Sequence, residues 1–173
     1  MAKLAEFDST SQRLSHLDAS GNARMVNVAD KPVTVRRAAA SATCVMNKAT
    51  AEAVRANQIG KGDVLQVARL AAIGASKKTA ELIPLCHSLG LEGVDVDFRW
   101  LSDNQLQIVV GVQATARTGV EMEAMVGASL AALTVYDMCK SSDRSMSITD
   151  VILLSKSGGQ RGDYNRSTLT PAD

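Results

Sequence analysis

The sequence predicts an α+β fold of the ferredoxin-like βαββαβ type, and three observations carry that reading. Val94, Val96, Phe98 and Trp100 alternate with Asp95, Asp97 and Arg99. After Ser102-Asp103-Asn104, the residues Leu106, Ile108, Val110 and Val112 repeat the same period of two. That is the pattern of a hairpin with one buried face. Two long, weakly charged helical stretches flank it, Gly62–Leu82 before and Glu121–Ser142 after. Runs with strand character stand outside both helices, Val33–Met46 and Met146–Leu154. This order is the split βαβ pattern: an antiparallel sheet with both long helices on one face, with an added N-terminal strand and short helix.

Each element has its own reason. Residues 1–22 are polar and carry Gly, Ser and Asp, which predicts a flexible arm. Arg24–Val28 predicts a short strand and Asp30-Lys31-Pro32 a turn. The next run begins with Val33 and Val35 set against Thr34 and Arg36, and Lys48–Asn57 reads as a short helix. In the first long helix Asp63 is placed to cap the N-terminus, and Pro84 stops the far end. From Val64 to Ala75 its only polar side chains are Gln66 and Arg69. A helix this apolar needs cover on most sides, by its own sheet and by another subunit. Gly119 precedes the second long helix, whose centre AMVGASLAAL (124–133) carries no charge. The final strand leads into a Gly-rich tail, so the expected organisation is an arm at 1–22, one domain at 23–156 and a mobile tail at 157–173.

Length and composition narrow the function. The chain has 173 residues, room for one domain, and 46% are hydrophobic, enough for a core. Lys and Arg number 19 against 18 Asp and Glu, a net charge of +1 that argues against nonspecific nucleic-acid or polybasic membrane binding. Aromatic residues at 3% leave little for base stacking. No run is apolar enough to span a membrane, and the start has no signal-peptide core. Cys44, Cys86 and Cys139 are widely spaced and odd in number, so they suggest neither a disulfide framework nor a zinc knuckle. The expectation is a cytoplasmic protein without a metal cluster.

The second long helix carries the sharpest chemical signal. At 100° per residue, Glu123, Thr134, Asp137, Lys140 and Ser141 fall on one stripe. Asp137 and Lys140 are i, i+3 neighbours, able to act as a proton-transfer pair if burial tunes them. Taken alone, such pairs are more often surface salt bridges. In this chain the preceding helix is almost uncharged, which favours a buried location. Glu123 lies fourteen residues before Asp137, about 21 Å along the axis. One small pocket in one chain cannot hold both, so either they are unrelated or a symmetric assembly joins them.

Leu85-Cys86-His87 follows the proline stop, and His87 is one of only two histidines. It could donate to a phosphate, shuttle a proton, or be an inert loop residue. Cys86 and Cys139 read as small buried hydrophobes. Basic residues recur at element ends: Arg36, Lys61, Lys156 and Arg161. Lys61 stands at a positive helix end, and Lys156-Ser157-Gly158-Gly159 puts backbone donors beside an amine without Walker spacing. Each alone is ordinary surface; together they suggest a ligand with several phosphates.

The strings LDASGNARMVNVADK, KGDVLQVARLAAIGASKKTAELIPLCHSL, GVEMEAMVGASLAALTVYDMCK and LLSKSGGQRGDY resemble the molybdenum cofactor biosynthesis protein C (MoaC) family, the cyclic pyranopterin monophosphate synthases. The resemblance runs from about residue 14 to 164. It implies a lyase acting on 3′,8-cyclised dihydro-GTP supplied by a radical SAM enzyme, yielding cyclic pyranopterin monophosphate and diphosphate. It implies a homohexamer, a trimer of dimers, with sites between subunits. By motif, Asp137 matches the catalytic aspartate and Lys140 its lysine, with Lys61 as a further basic catalytic position. Leu85, Cys86, His87, Met122, Glu123, Arg36 and Lys156 match substrate-binding positions. No cofactor is required, although Mg²⁺ could accompany the phosphates. Asn27 stands where the family usually has Asp, Ser88 where Pro is usual, and GGQRG replaces GGKSG. Two rival readings remain open from the residues themselves. A noncatalytic nucleotide-binding module would need the basic residues but not the Asp137–Lys140 pair. A different phosphate-eliminating lyase is the other.

Overall fold

The computed structural model describes residues 16–18, 20–160 and 162–167. Strand β1 (Thr34–Val45) leads to α1 (Lys48–Arg55), α2 (Val64–Lys77) and the single-turn α3 (Thr79–Leu82). The hairpin β2 (Gly93–Trp100) and β3 (Gln105–Ala116) follows, then α4 (Glu121–Cys139), β4 (Ser147–Ser157) and a short β5 (Tyr164–Asn165). The sheet order is β2-β3-β1-β4-β5, every neighbour antiparallel. The first four strands reproduce the ferredoxin-like arrangement expected from the element order. β1 and β3 pair from Thr34↔Ala116 to Val45↔Gln105 without a slip. β1 and β4 slip twice, and Asp150, at φ 52°, sits in the second irregularity.

Alternation decides which face is covered. Ala38, Ala40, Ala42 and Cys44 of β1 and Leu106, Ile108 and Val110 of β3 are all buried. α4 lies over them with Ala124, Ala128, Ala131, Ala132 and Val135. These small side chains let the helix seat close to the strands, so the core is filled by short contacts rather than bulky rings. Gly127 does the same between helices. A Cβ there would collide with Ser76 Oγ of α2 and stand 3.3 Å from the Ala72 carbonyl oxygen. Ser76 Oγ also donates to the Glu123 carbonyl at 2.9 Å, tying α2 to the first turn of α4.

Several boundaries differ from expectation. Arg24–Val28 forms no strand. The nearest pairing is one bridge, Leu17↔Ala23, and Asn27 Oδ1 instead accepts from the Ala29 N–H at 2.9 Å, a local turn. The helix expected over Gly62–Leu82 starts at Val64, where Asp63 Oδ1 does accept from the Gln66 N–H at 3.0 Å, and breaks at Lys78. There the buried Thr79 Oγ1 donates to the Ser76 carbonyl at 3.0 Å, and a separate single turn, α3, carries the chain toward Pro84. The last helix ends at Cys139, short of Ser142. The final strand runs to Ser157, and Tyr164 and Asn165 pair back onto Lys156 and Ser155. Most of the expected N-terminal arm, and Arg161, lie outside the described residues. No helix among the described residues is long and apolar enough to cross a membrane.

Candidate active site

Two separate groups of side chains stand at the two ends of α4. At its N-terminal end a cleft of about 470 Å³ opens between α4, the ends of β1, β3 and β4, and the loop after α3. It is lined by Arg36, Leu85, Cys86, His87, Met122, Glu123 and Lys156. The structure thus gathers all seven expected binding positions in one place. The three expected catalytic positions, Lys61, Asp137 and Lys140, lie together at the other end. The two groups do not meet within one chain.

The cleft is held by backbone contacts. Arg36 is buried, and its guanidinium donates to the carbonyls of Ala116 (3.2 Å) and Arg117 (3.3 Å), which end β3. The Lys156 segment reaches Arg36 because Gly158 has φ +87° and sits against the Val35 carbonyl, where a Cβ would collide. His87 Nε2 lies 2.7 Å from the Val26 carbonyl, so that nitrogen carries the proton and the ring is clamped by the 24–31 loop. Glu123 is only 4% exposed, and burial pushes its carboxyl above the usual range. Burial likewise raises the Cys86 thiol, and holds Cys44 at about 12, so neither is a ready nucleophile. Cys139 is fully buried, as expected of a small hydrophobe.

The other end is a compact ion triad. Lys140 Nζ donates to Asp137 Oδ1 at 2.6 Å. Lys61 Nζ donates to the Asp137 carbonyl at 2.7 Å and lies 3.5 Å from Oδ2. The Lys140 hydrogen bond and charge, then Lys61, hold the Asp137 carboxyl below its usual range. Asp137 in turn raises Lys140. The sequence places the Lys61 amine to serve an anion at the start of α2. It turns instead to the C-terminal end of α4, where free carbonyls attract a cation. The expected burial of the Asp137–Lys140 pair is also corrected: in the single chain both residues are about half exposed, because the triad caps the helix end rather than entering the core.

The cleft also holds residues that the sequence did not single out: Lys31, Arg117 and Glu121. Arg117 carries a usable signal, a basic residue between a strand end and a helix start, the same signal that marks Lys61. Glu121 has none, because it lies off the helical stripe that runs through Glu123. Among the described residues no group of three or more His, Cys, Asp or Glu could hold a metal ion.

Comparison with known proteins assigns the family. The MoaC family model matches residues 25–159. This chain belongs to the MoaC family. Relatives include "Cyclic pyranopterin monophosphate synthase 3" of Mycobacterium tuberculosis (strain ATCC 25618 / H37Rv), 49% identical over 92% of each chain. The "Cyclic pyranopterin monophosphate synthase" of Natranaerobius thermophilus is 51% identical, covering 86% of this chain and 94% of the relative. That of Bacillus thuringiensis (strain Al Hakam) is 50% identical over 89% and 98%. The family match spans both groups of side chains, from Arg36 to Lys156.

Proposed function

We propose that this chain is a cyclic pyranopterin monophosphate synthase of molybdenum cofactor biosynthesis, a lyase that converts 3′,8-cyclised dihydro-GTP to cyclic pyranopterin monophosphate and diphosphate. The observation that carries the mechanism is the division of the charged side chains between the ends of α4. Thirteen uncharged residues, 124–136, separate Glu123 from Asp137. The outer face of α4 exposes the apolar side chains of Met122, just before Glu123, and Leu133, between the two groups. A second copy laid antiparallel on that face, about an axis near Leu130, would bring each chain's cleft to the partner's Asp137–Lys140 pair. The proposed assembly is a homohexamer, a trimer of such dimers.

In the completed site Arg36, His87 and Lys156 neutralise the triphosphate of a substrate supplied by a radical SAM enzyme. Leu85, Cys86, Met122 and Glu123 shape the seat of the ring system. Lys140 and Lys61 give and take protons while the purine-derived ring opens and recloses, and Asp137 holds Lys140 charged until it is used. A ribose-derived hydroxyl then attacks the α-phosphorus. The new O–P bond forms as the bond to the β-phosphate bridging oxygen breaks, the hydroxyl proton passes to a neutral lysine, and diphosphate leaves with the electron pair. Mg²⁺ travelling with the phosphates would add neutralising charge; the steps above use only side chains of the protein.

Turnover of cyclised dihydro-GTP by wild type and by Lys140→Ala tests the reading. The expected result is diphosphate release by wild type and loss of about 10²–10⁴-fold in the variant. Ligand binding with no diphosphate release by wild type would instead establish a noncatalytic nucleotide-binding module.

A further inference from the structure

One carboxylate in the cleft has no part in the chemistry above. Glu121, the first residue of α4, places Oε1 3.5 Å from Lys156 Nζ, with both side chains more than two-thirds buried. Its carboxylate folds back over Gly119 so closely that a Cβ at position 119 would collide with it. Val120 at the N-cap offers no side-chain cap to the first amide N–H groups of α4, and negative charge is stabilised at that end of a helix. Glu121 therefore occupies, within the chain itself, the position an anion would take beside Lys156.

We propose that Glu121 is an internal counter-ion that competes with phosphate for Lys156 and so speeds the exit of diphosphate. The proposal rests on the reading that the cleft takes a phosphate chain. The substrate, held also by its ring system, Arg36 and His87, displaces the carboxylate. Once diphosphate is cleaved, it keeps only the charge contacts, and Glu121 returns to Lys156. The small size of Gly119 is part of the device, because it leaves the carboxylate its seat.

The test is pyrophosphate binding by calorimetry, and pyrophosphate inhibition of turnover, on the intact protein. Glu121→Gln removes the competing charge. Gly119→Ala leaves the charge but evicts it from its seat, and position 119 does not have the positive φ that would strain alanine. Both are expected to bind pyrophosphate roughly fivefold more tightly, the scale of one partly screened ion pair. In a Lys156→Met background, Glu121→Gln should change pyrophosphate affinity little, because the contested amine is gone. Folded Glu121→Gln that binds pyrophosphate no more tightly than wild type would overturn the proposal. Should Glu121→Gln not fold, unchanged affinity in Gly119→Ala would overturn it. Wild type that turns over substrate while the variants bind pyrophosphate as it does rejects the counter-ion alone; wild type without turnover rejects the enzymatic reading.

Discussion

The Lys140 ammonium lies 2.6 Å from Asp137 Oδ1, one helical turn away, and each group shifts the other toward its charged form. In the proposed mechanism a lysine so held enters the reaction as an acid. Removing the carboxylate in Asp137→Asn lets Lys140 lose its proton at lower pH, so the basic limb of kcat/KM should move down the pH scale. The activity at the optimum should fall by about 10²-fold or more. A pH–rate profile with an unmoved basic limb would show that Asp137 does not set the state of Lys140.

Glu123 is buried at the cleft and its carboxyl is raised by desolvation. A raised carboxyl binds its proton more tightly in the folded chain, so its contribution to stability is greatest below the unfolded value and is lost as pH rises through the folded one. Glu123→Gln should therefore stabilise the protein near neutral pH, on the order of 1–3 kcal/mol for a poorly paired buried group, while turnover drops. Thermal melts at pH 5 and pH 8 measure it. The gain should be larger at pH 8, and equal melting shifts at both would rule out desolvation of the carboxylate as the source of the gain.

Gly127 permits the contact between α2 and α4, where Ser76 Oγ and the Ala72 carbonyl leave no room for a methyl group. Gly127→Ala should cost about 1–3 kcal/mol through overpacking, despite the better helix propensity of alanine. Denaturant unfolding reads this directly, and a stabilised variant would show that the helices part without cost.

Much of the fold is legible in the sequence because its periods are clean. The β2–β3 hairpin alternates without a break, and the alanine-rich centre of α4 has no charge to place at a surface. The break at Lys78 is harder to see, because Pro84 offers a stronger stop signal six residues on. The absent strand at Arg24–Val28 shows the same limit. Val26 and Val28 line the cleft, and the Val26 carbonyl binds His87 rather than a neighbouring strand. The site is legible in part. A separation of fourteen positions from Glu123 to Asp137 already implies two places rather than one. Spacing does not carry side-chain direction, so it places Lys61 at the start of α2 without turning it toward the end of α4. Nor does it pair Glu121 with Lys156, 35 positions away across the cleft.

The division of the site along α4 is tested most directly by mixing two inactive proteins. Arg36→Ala disables the cleft and Lys140→Ala disables the triad, each in every copy of its own oligomer. After dissociation and random reassembly, half of the dimers pair one chain of each kind. One of the two shared sites in such a dimer draws both halves from unmutated surfaces, so about a quarter of wild-type turnover should return. No recovery in reassembled mixed oligomers would mean that cleft and triad do not combine between chains.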